Sequence, residues 1–302
     1  MRCLLTLIAL LGLSAVTSAT AAPRVVASIL PVHSLVASVM QGVGVPHLLL
    51  RGRQSPHAFA LRPSDARALR DADVVFWIGP ALERPLARML GDGEHARPVA
   101  LLESPGLTRL QARDPAADHD EQENPASETL PDPHIWLSPA NAIAMTDRIA
   151  AVLGEVDPVN ATLYRTNAAR SRALLQTLDA QLRDRLAGLR QPYAVFHDAY
   201  QYLEQRYGLH RVATVTTHPE HRPGAQHLIQ LRAALASEQV RCLFSEPQFD
   251  MRLIDRLGEG LDIRHAVLDP LGSDIPPGPS AYPTLMRQLA DGFVRCLEGG
   301  PQ

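Results

Sequence analysis

Residues 160–189 read NATLYRTNAARSRALLQTLDAQLRDRLAGL, thirty positions without a proline and with a single glycine, Gly188. Leu163, Leu174, Leu175, Leu178, Leu182 and Leu186 recur in it at helical spacing, the mark of one buried helix face. Pro158 suits the start of such a helix, since its φ is already helical and its missing N–H would have no partner there. At 1.5 Å per residue a continuous helix here would run about 45 Å, enough to brace two lobes rather than link them loosely.

On each side of this stretch, apolar runs of strand length alternate with longer segments of helical period, as in βα units around parallel sheets. Upstream, 25–29, 48–50, 74–78 and 99–102 read as strands, and 32–41, 64–72 and 82–90 as helices, with Ser64 and Asp65 in a cap position for the second helix. Downstream, 193–196, 212–216, 240–244 and 265–268 read as strands, and 199–207, 225–237, 251–259 and 281–297 as helices. The expected fold is α/β, two lobes each with a mainly parallel sheet flanked by helices. The expected divisions are an N-terminal lobe at 23–156, a linking helix at 157–190 and a C-terminal lobe at 191–302. Within the first lobe, 112–133 (ARDPAADHDEQENPASETLPDP) is acidic, punctuated by proline and without apolar period, and reads as a mobile loop.

A chain of 302 residues, 46% hydrophobic and 20% charged, fits a globular protein of about two domains. The formal charge of −3 offers no basic surface for nucleic acid phosphates or anionic lipid. Residues 1–22 read as an export signal: Arg2, the apolar run LLTLIALLGL at 4–13, then small residues with Ala19-Thr20-Ala21 fitting a cleavage site after Ala21 or Ala22. Ser14, Thr17, Ser18 and Thr20 interrupt the run before it reaches spanning length, so a periplasmic location is expected. Removing the signal takes Cys3 and leaves Cys242 and Cys296, an even pair in an oxidising compartment. A disulfide between them would close 54 positions and stabilise by about 4 kcal/mol in the chain-entropy picture. Two buried free thiols are the alternative.

Four chemistry-bearing residues stand where strands deliver loops: His57, His134, His197 and Asp269. In open α/β sheets ligands bind beyond the carboxyl ends of strands, and three imidazoles with one carboxylate make a set suited to zinc. The separations match no short metal motif, and a lone histidine at a strand end is more often structural. The surrounding words carry more. SPHAFALRPSDARAL (55–69), DPHIWLSP (132–139), VFHDAYQYLE (195–204), LFSEPQF (243–249) and LDPLGSDI (268–275) together resemble the substrate-binding proteins of high-affinity zinc uptake ABC transporters, the TroA-like metal-binding cluster A-I.

The resemblance covers nearly the whole mature chain. It implies a bilobal fold with a rigid interlobe helix, no catalytic activity, Zn2+ as the transported ligand, and a membrane permease as partner, with monomer as the default state. It implies His57, His134 and His197 as metal ligands, Asp269 as a fourth that water can replace, and Cys242 paired with Cys296. The chain departs from the pattern at 112–133, where zinc-binding relatives carry a His-rich loop and this one has only His119 among Asp118, Asp120, Glu121 and Glu123. A solvated loop is the simpler reading there. Trp136 and Phe196 are expected to wall the site, Asp198 to accept from a ligand imidazole, His33 to approach the cleft, and Arg62 with Asp65 to tie the first-lobe loop. His218, His221 and His227, with Glu220 interleaved, read as surface residues, and His47, His95, His210 and His265 carry no functional expectation.

The nearest rival is a manganese or iron(II) binder of the same fold, which would place a carboxylate where this chain has His197; imidazole favours zinc. A zinc hydrolase would need an open coordination position and a general base, and the sequence contains no HExxH, GxSxG or P-loop. A surface adhesin is disfavoured by the soluble export signal.

Overall fold

The computed structural model describes residues 21–91, 96–113, 130–216, 219 and 223–299. The export segment at 1–20, the acidic residues 114–129, and His95, His218, Glu220 and His221 lie outside the described residues.

Two four-stranded sheets carry the fold. In the first, β1 (Val25–Ala27), β2 (His47–Leu48), β3 (Val74–Trp77) and β4 (Arg97–Ala100) lie in the order β2-β1-β3-β4. In the second, β5 (Tyr193–His197), β6 (Arg211–Thr216), β7 (Cys242–Ser245) and β8 (Arg264–Val267) repeat it as β6-β5-β7-β8. Every pairing is parallel. Buried on both faces, such strands need no alternation, and β3 and β7 are apolar runs throughout their buried lengths save Ser245. In each sheet the winding reverses at the first strand, so the crevices open at the carboxyl ends of β1 and β3 and of β5 and β7.

The helices of the first set are α1 (Leu30–Val39), α2 (Pro63–Asp71) and α3 (Arg84–Leu90); α6 (Gln201–Tyr207), α7 (Ala225–Ser237), α8 (Arg252–Gly258) and α9 (Ala281–Glu298) serve the second. Helix α2 starts at Pro63 with Arg62 as N-cap and no side-chain cap, one residue before the expected Ser64; proline takes the first helical position because it forfeits no bond there.

Between the sheets stand α4 (Pro139–Val156) and α5 (Ala161–Leu186). Helix α4 was not among the expected elements. Ser138 caps it by accepting from Asn141 N at 3.4 Å, and Pro139 follows at the first helical position. Helix α5 has 26 residues, about 39 Å of length, preceded by a 3-10 turn at Pro158–Asn160. Its buried stripe is Tyr164, Asn167, Ala168, Ser171, Leu175, Leu178, Leu182 and Leu186. Leu163 and Leu174, expected in that stripe, are 37% and 62% exposed: steps of three and four from Leu175 lead back through Ser171 and Ala168 to Tyr164, not to either leucine.

Polar bonds fasten both ends of α5. Asn167 Nδ2 donates to Val39 O (2.9 Å) and Gln41 O (2.8 Å) at the end of α1, while Asp179 accepts from Tyr207 Oη (2.9 Å) and from the Arg206 guanidinium on α6. One continuous apolar core runs from β1 and β3 through α4 and α5 to β5, β7 and α9. Helix α9 also returns to the first sheet's side, where Tyr282 N donates to Ser34 Oγ (2.9 Å) and Tyr282 Oη to Trp136 O (2.7 Å). The expected disulfide is present: Cys242, first residue of β7, is bonded to Cys296 in the last turn of α9, with Cα atoms 6.0 Å apart.

Candidate metal centre

Three imidazoles converge between the sheets. His57 rides on the loop that follows β2, where its backbone N–H donates to Ser55 Oγ (3.3 Å) and Ser55 bridges Ala58. His134 precedes the 3-10 turn Ile135–Leu137. His197 is the last residue of β5, at the crevice beside β7. The ring centroids of His134 and His197 are 4.8 Å apart, those of His57 and His197 5.1 Å, and those of His57 and His134 5.7 Å. One ring nitrogen from each lies within 4.8 Å of the others, the sole such group of histidine, cysteine and carboxylate side chains among the described residues. A tetrahedral zinc with bonds of about 2.0–2.1 Å needs its nitrogens about 3.4 Å apart, so a small inward shift would complete the cage.

His134 shows how such a ring is held. Asp132 Oδ1 accepts from the His134 backbone N–H (2.9 Å) and lies 2.8 Å from its Nδ1. The bond places the ring proton on Nδ1 and leaves the Nε2 lone pair for a ligand. Nε2 is buried and has no hydrogen-bond partner, which costs free energy unless an ion takes the lone pair.

A family model described as "Zinc-uptake complex component A periplasmic" (ZnuA) matches residues 25–296. The chain belongs to the ZnuA family. It is 39% identical over 307 residues to the "High-affinity zinc uptake system protein ZnuA" of Brucella abortus (strain 2308), covering 90% of this chain and 91% of that protein. It is 35% identical over 299 residues to the protein of the same name from Yersinia pestis, covering 92% of each. A solved structure, "Crystal structure of 138-173 ZnuA deletion mutant plus zinc bound", superposes with a TM-score of 0.75 at 24% identity, over 91% of this chain and 98% of that one. At that identity it bears on the fold alone.

Asp269 is not brought to the triad in this ZnuA family member. Its carboxylate is turned into its own loop, where Oδ1 accepts from Gln248 Nε2 (2.9 Å) and Leu271 N (3.0 Å) and Oδ2 from Ser273 N (2.5 Å). Asp198 lines the same opening as His57 and His134 but is engaged by arginines. It pairs with Arg113 (2.8 Å) and Arg211 (3.8 Å); Asp132 takes the role expected of it. Phe196 points away, because successive strand residues face opposite sides and His197 takes the cleft; Phe196 stacks on Phe249 (4.9 Å). Phe249 itself walls the site with Trp136, their rings 6.1 Å from His197 and 5.3 Å from His134. Trp136 Nε1 donates to Pro270 O (2.8 Å), joining the lobes behind the triad.

Other expected residues settle elsewhere. His33 is buried in α1 with Nε2 3.0 Å from Pro46 O, and burial holds its pKa below the usual imidazole value. Asp65 faces His47 Nε2 (3.5 Å), while Arg62 contributes its carbonyl to Asp65 N (3.0 Å). His227 Nε2 lies 3.0 Å from Val215 O. A cavity of about 830 Å³ is lined by His33, His47, Arg51 and residues of 271–279, and none of the three converging imidazoles lines it. A smaller opening of about 110 Å³ does reach the triad, past His57, Arg84, Ala112, Arg113, Asp132 and His134. There the arms of the acidic stretch are paired, Ala112 N to Leu130 O and Asp132 N to Leu110 O, both 2.8 Å, so the expected loop is shorter than 112–133.

Glu246 was missed. It follows β7 directly, is 3% exposed, and brings its carboxylate oxygens to 3.4 and 3.5 Å from His197 Nδ1. Burial pushes its carboxyl up to about 8, against the attraction of His134. The signal was in LFSEPQF: an acidic residue at the carboxyl end of the strand beside His197.

Proposed function

We propose that this chain is the periplasmic zinc-capturing component of an ABC importer, holding Zn2+ on His57, His134 and His197 and passing it to the membrane permease. The observation that carries the reading is the convergence of three ring nitrogens within 4.8 Å, one of them the buried, unpartnered Nε2 of His134. Neutral imidazoles suit zinc, whereas manganese is better served by oxygen donors. The nearby carboxylates have partners of their own: Asp269 in its loop, Asp132 at His134 Nδ1 and Glu246 at Tyr200 and His197 Nδ1. Asp269 would have to turn out of its hydrogen-bonded loop to become the fourth ligand, so water takes that position when the ion first binds.

Capture needs little motion. His134 sits on a carboxylate, His197 ends a central strand, and α5 fastens both lobes, so the His57 loop is the part that closes. Release follows from the same chemistry, since a protonated imidazole cannot ligate and acid therefore weakens binding. The mature chain begins after Ala21 or Ala22 and works as a monomer.

Competitive titration of the metal-free mature chain with zinc and manganese, alongside His197→Ala, tests this. Tight one-to-one zinc binding, weak manganese binding and a large loss in the variant are expected. Preferential manganese binding, or zinc binding indifferent to His197, would reject the assignment.

A further inference from the structure

The turn after β7, residues 245–250, reads SEPQFD and closes on itself through Phe249 N to Glu246 O (3.1 Å). It directs three side chains at the centre. Gln248 Nε2 holds both Asp269 Oδ1 (2.9 Å) and Ser273 Oγ (3.0 Å), Phe249 lies edge-on to His197, and Glu246 reaches His197 Nδ1. Strand pairing fixes this approach, because Val195 and Phe244 are in register and the two chain ends leave the sheet side by side. Glu246 lines the pocket where the three imidazoles meet; Asp269 does not.

We propose that Glu246 is the positioning residue of His197: by accepting a hydrogen bond from Nδ1–H it turns the Nε2 lone pair toward the ion. This rests on the zinc-capture reading. The arrangement repeats what Asp132 does for His134, so both buried imidazoles stand on buried carboxylates. The gap of 3.4 Å exceeds the 2.8 Å at Asp132, and a charge-assisted bond asks for a ring movement of only about 0.6 Å. Tyr200 Oη, 3.3 Å from Glu246 Oε1, steadies the carboxylate from the other side. Asp132 and Glu246 both act from outside the coordination sphere, which leaves the three imidazoles as the protein's donors and favours zinc over manganese.

The test compares wild type, Glu246→Gln, Glu246→Ala and His197→Ala mature chains by zinc titration against a chelator and by visible spectra of their cobalt(II) forms. Glutamine still accepts an N–H but is the weaker acceptor and alanine accepts nothing, so zinc affinity should fall about tenfold in Glu246→Gln and nearer 100-fold in Glu246→Ala. Both should keep the wild-type tetrahedral cobalt bands, since no ligand is lost. Unchanged zinc affinity in both variants overturns the proposal. So do cobalt bands shifted as in His197→Ala, which would make Glu246 a ligand, and so does a lower thermal midpoint of the metal-free variants with wild-type affinity, which would make it structural. A wild-type chain that binds no zinc, or a His197→Ala chain that binds it normally, would instead defeat the zinc-capture reading.

Discussion

Two buried glutamates occupy matching places in the two sheets, Glu246 beside the carboxyl ends of β5 and β7 and Glu83 beside those of β1 and β3. Glu83 accepts from Ser28 Oγ (2.5 Å), Ile78 N (3.3 Å) and Gly79 N (2.9 Å). It thereby pins the turn after β3, where Gly79 takes φ +141°, a conformation other residues rarely adopt. Burial raises its carboxyl from 4.5 to about 7 despite those donors. A carboxyl with a raised folded pKa binds its proton more tightly when folded. Its contribution is complete below about 4.5 and is lost as pH rises through about 7, a loss of about 3 kcal/mol over that window. In Glu83→Gln that part of the pH dependence should vanish: urea unfolding at pH 5 and pH 8 should show a variant close to wild type at the lower pH and more stable at the higher. A variant that keeps the wild-type slope would show that Glu83 does not carry it.

At the level of elements, α5 separates what a helix buries from what it exposes. Leu178 is 1% exposed and sits in the core joining the lobes, whereas Leu174 is 62% exposed. Leu178→Ala should cost about 2–5 kcal/mol and Leu174→Ala no more than about 0.5 kcal/mol, measured by denaturant unfolding; equal costs would contradict the packing. The same contrast shows what was legible beforehand. The existence of α5 and the alternation of strands and helices could be read because each has a strong local period. Which leucines face inward could not, because Tyr164, Asn167 and Ser171 share the buried face and only tertiary packing chooses it. Helix α4 escaped because its buried residues, Ala142, Met145, Ile149 and Val152 among them, are flanked by further alanines that blur the period. The convergence of His57, His134 and His197 was legible from the words around them. The carboxylates beside His134 and His197 were not: Asp132 is only two residues from His134 but meets its ring through the turn between them, and Glu246 follows a neighbouring strand, 49 positions from His197.

At the scale of the molecule, stability and binding are carried by opposite ends of the same strand. Cys242 opens β7 and ties it to α9, while Glu246 follows the other end and faces His197. The disulfide closes a loop of 54 positions, worth about 4 kcal/mol in the chain-entropy account, yet it touches no group at the metal centre. Trp136 to Pro270 and Tyr282 to Trp136 fasten the lobes behind the triad independently of it. A chain with both cysteines changed to serine should therefore unfold at a clearly lower temperature and still bind zinc with wild-type affinity while folded. Zinc should raise the thermal midpoint of both chains, because an ion that binds only the folded form stabilises it by mass action, by about 4 kcal/mol at a thousandfold excess over Kd. If the serine variant instead lost zinc affinity in proportion to its stability, β7 would have to transmit strain along its length to Glu246, and the centre would be less independent of the staple than the geometry implies.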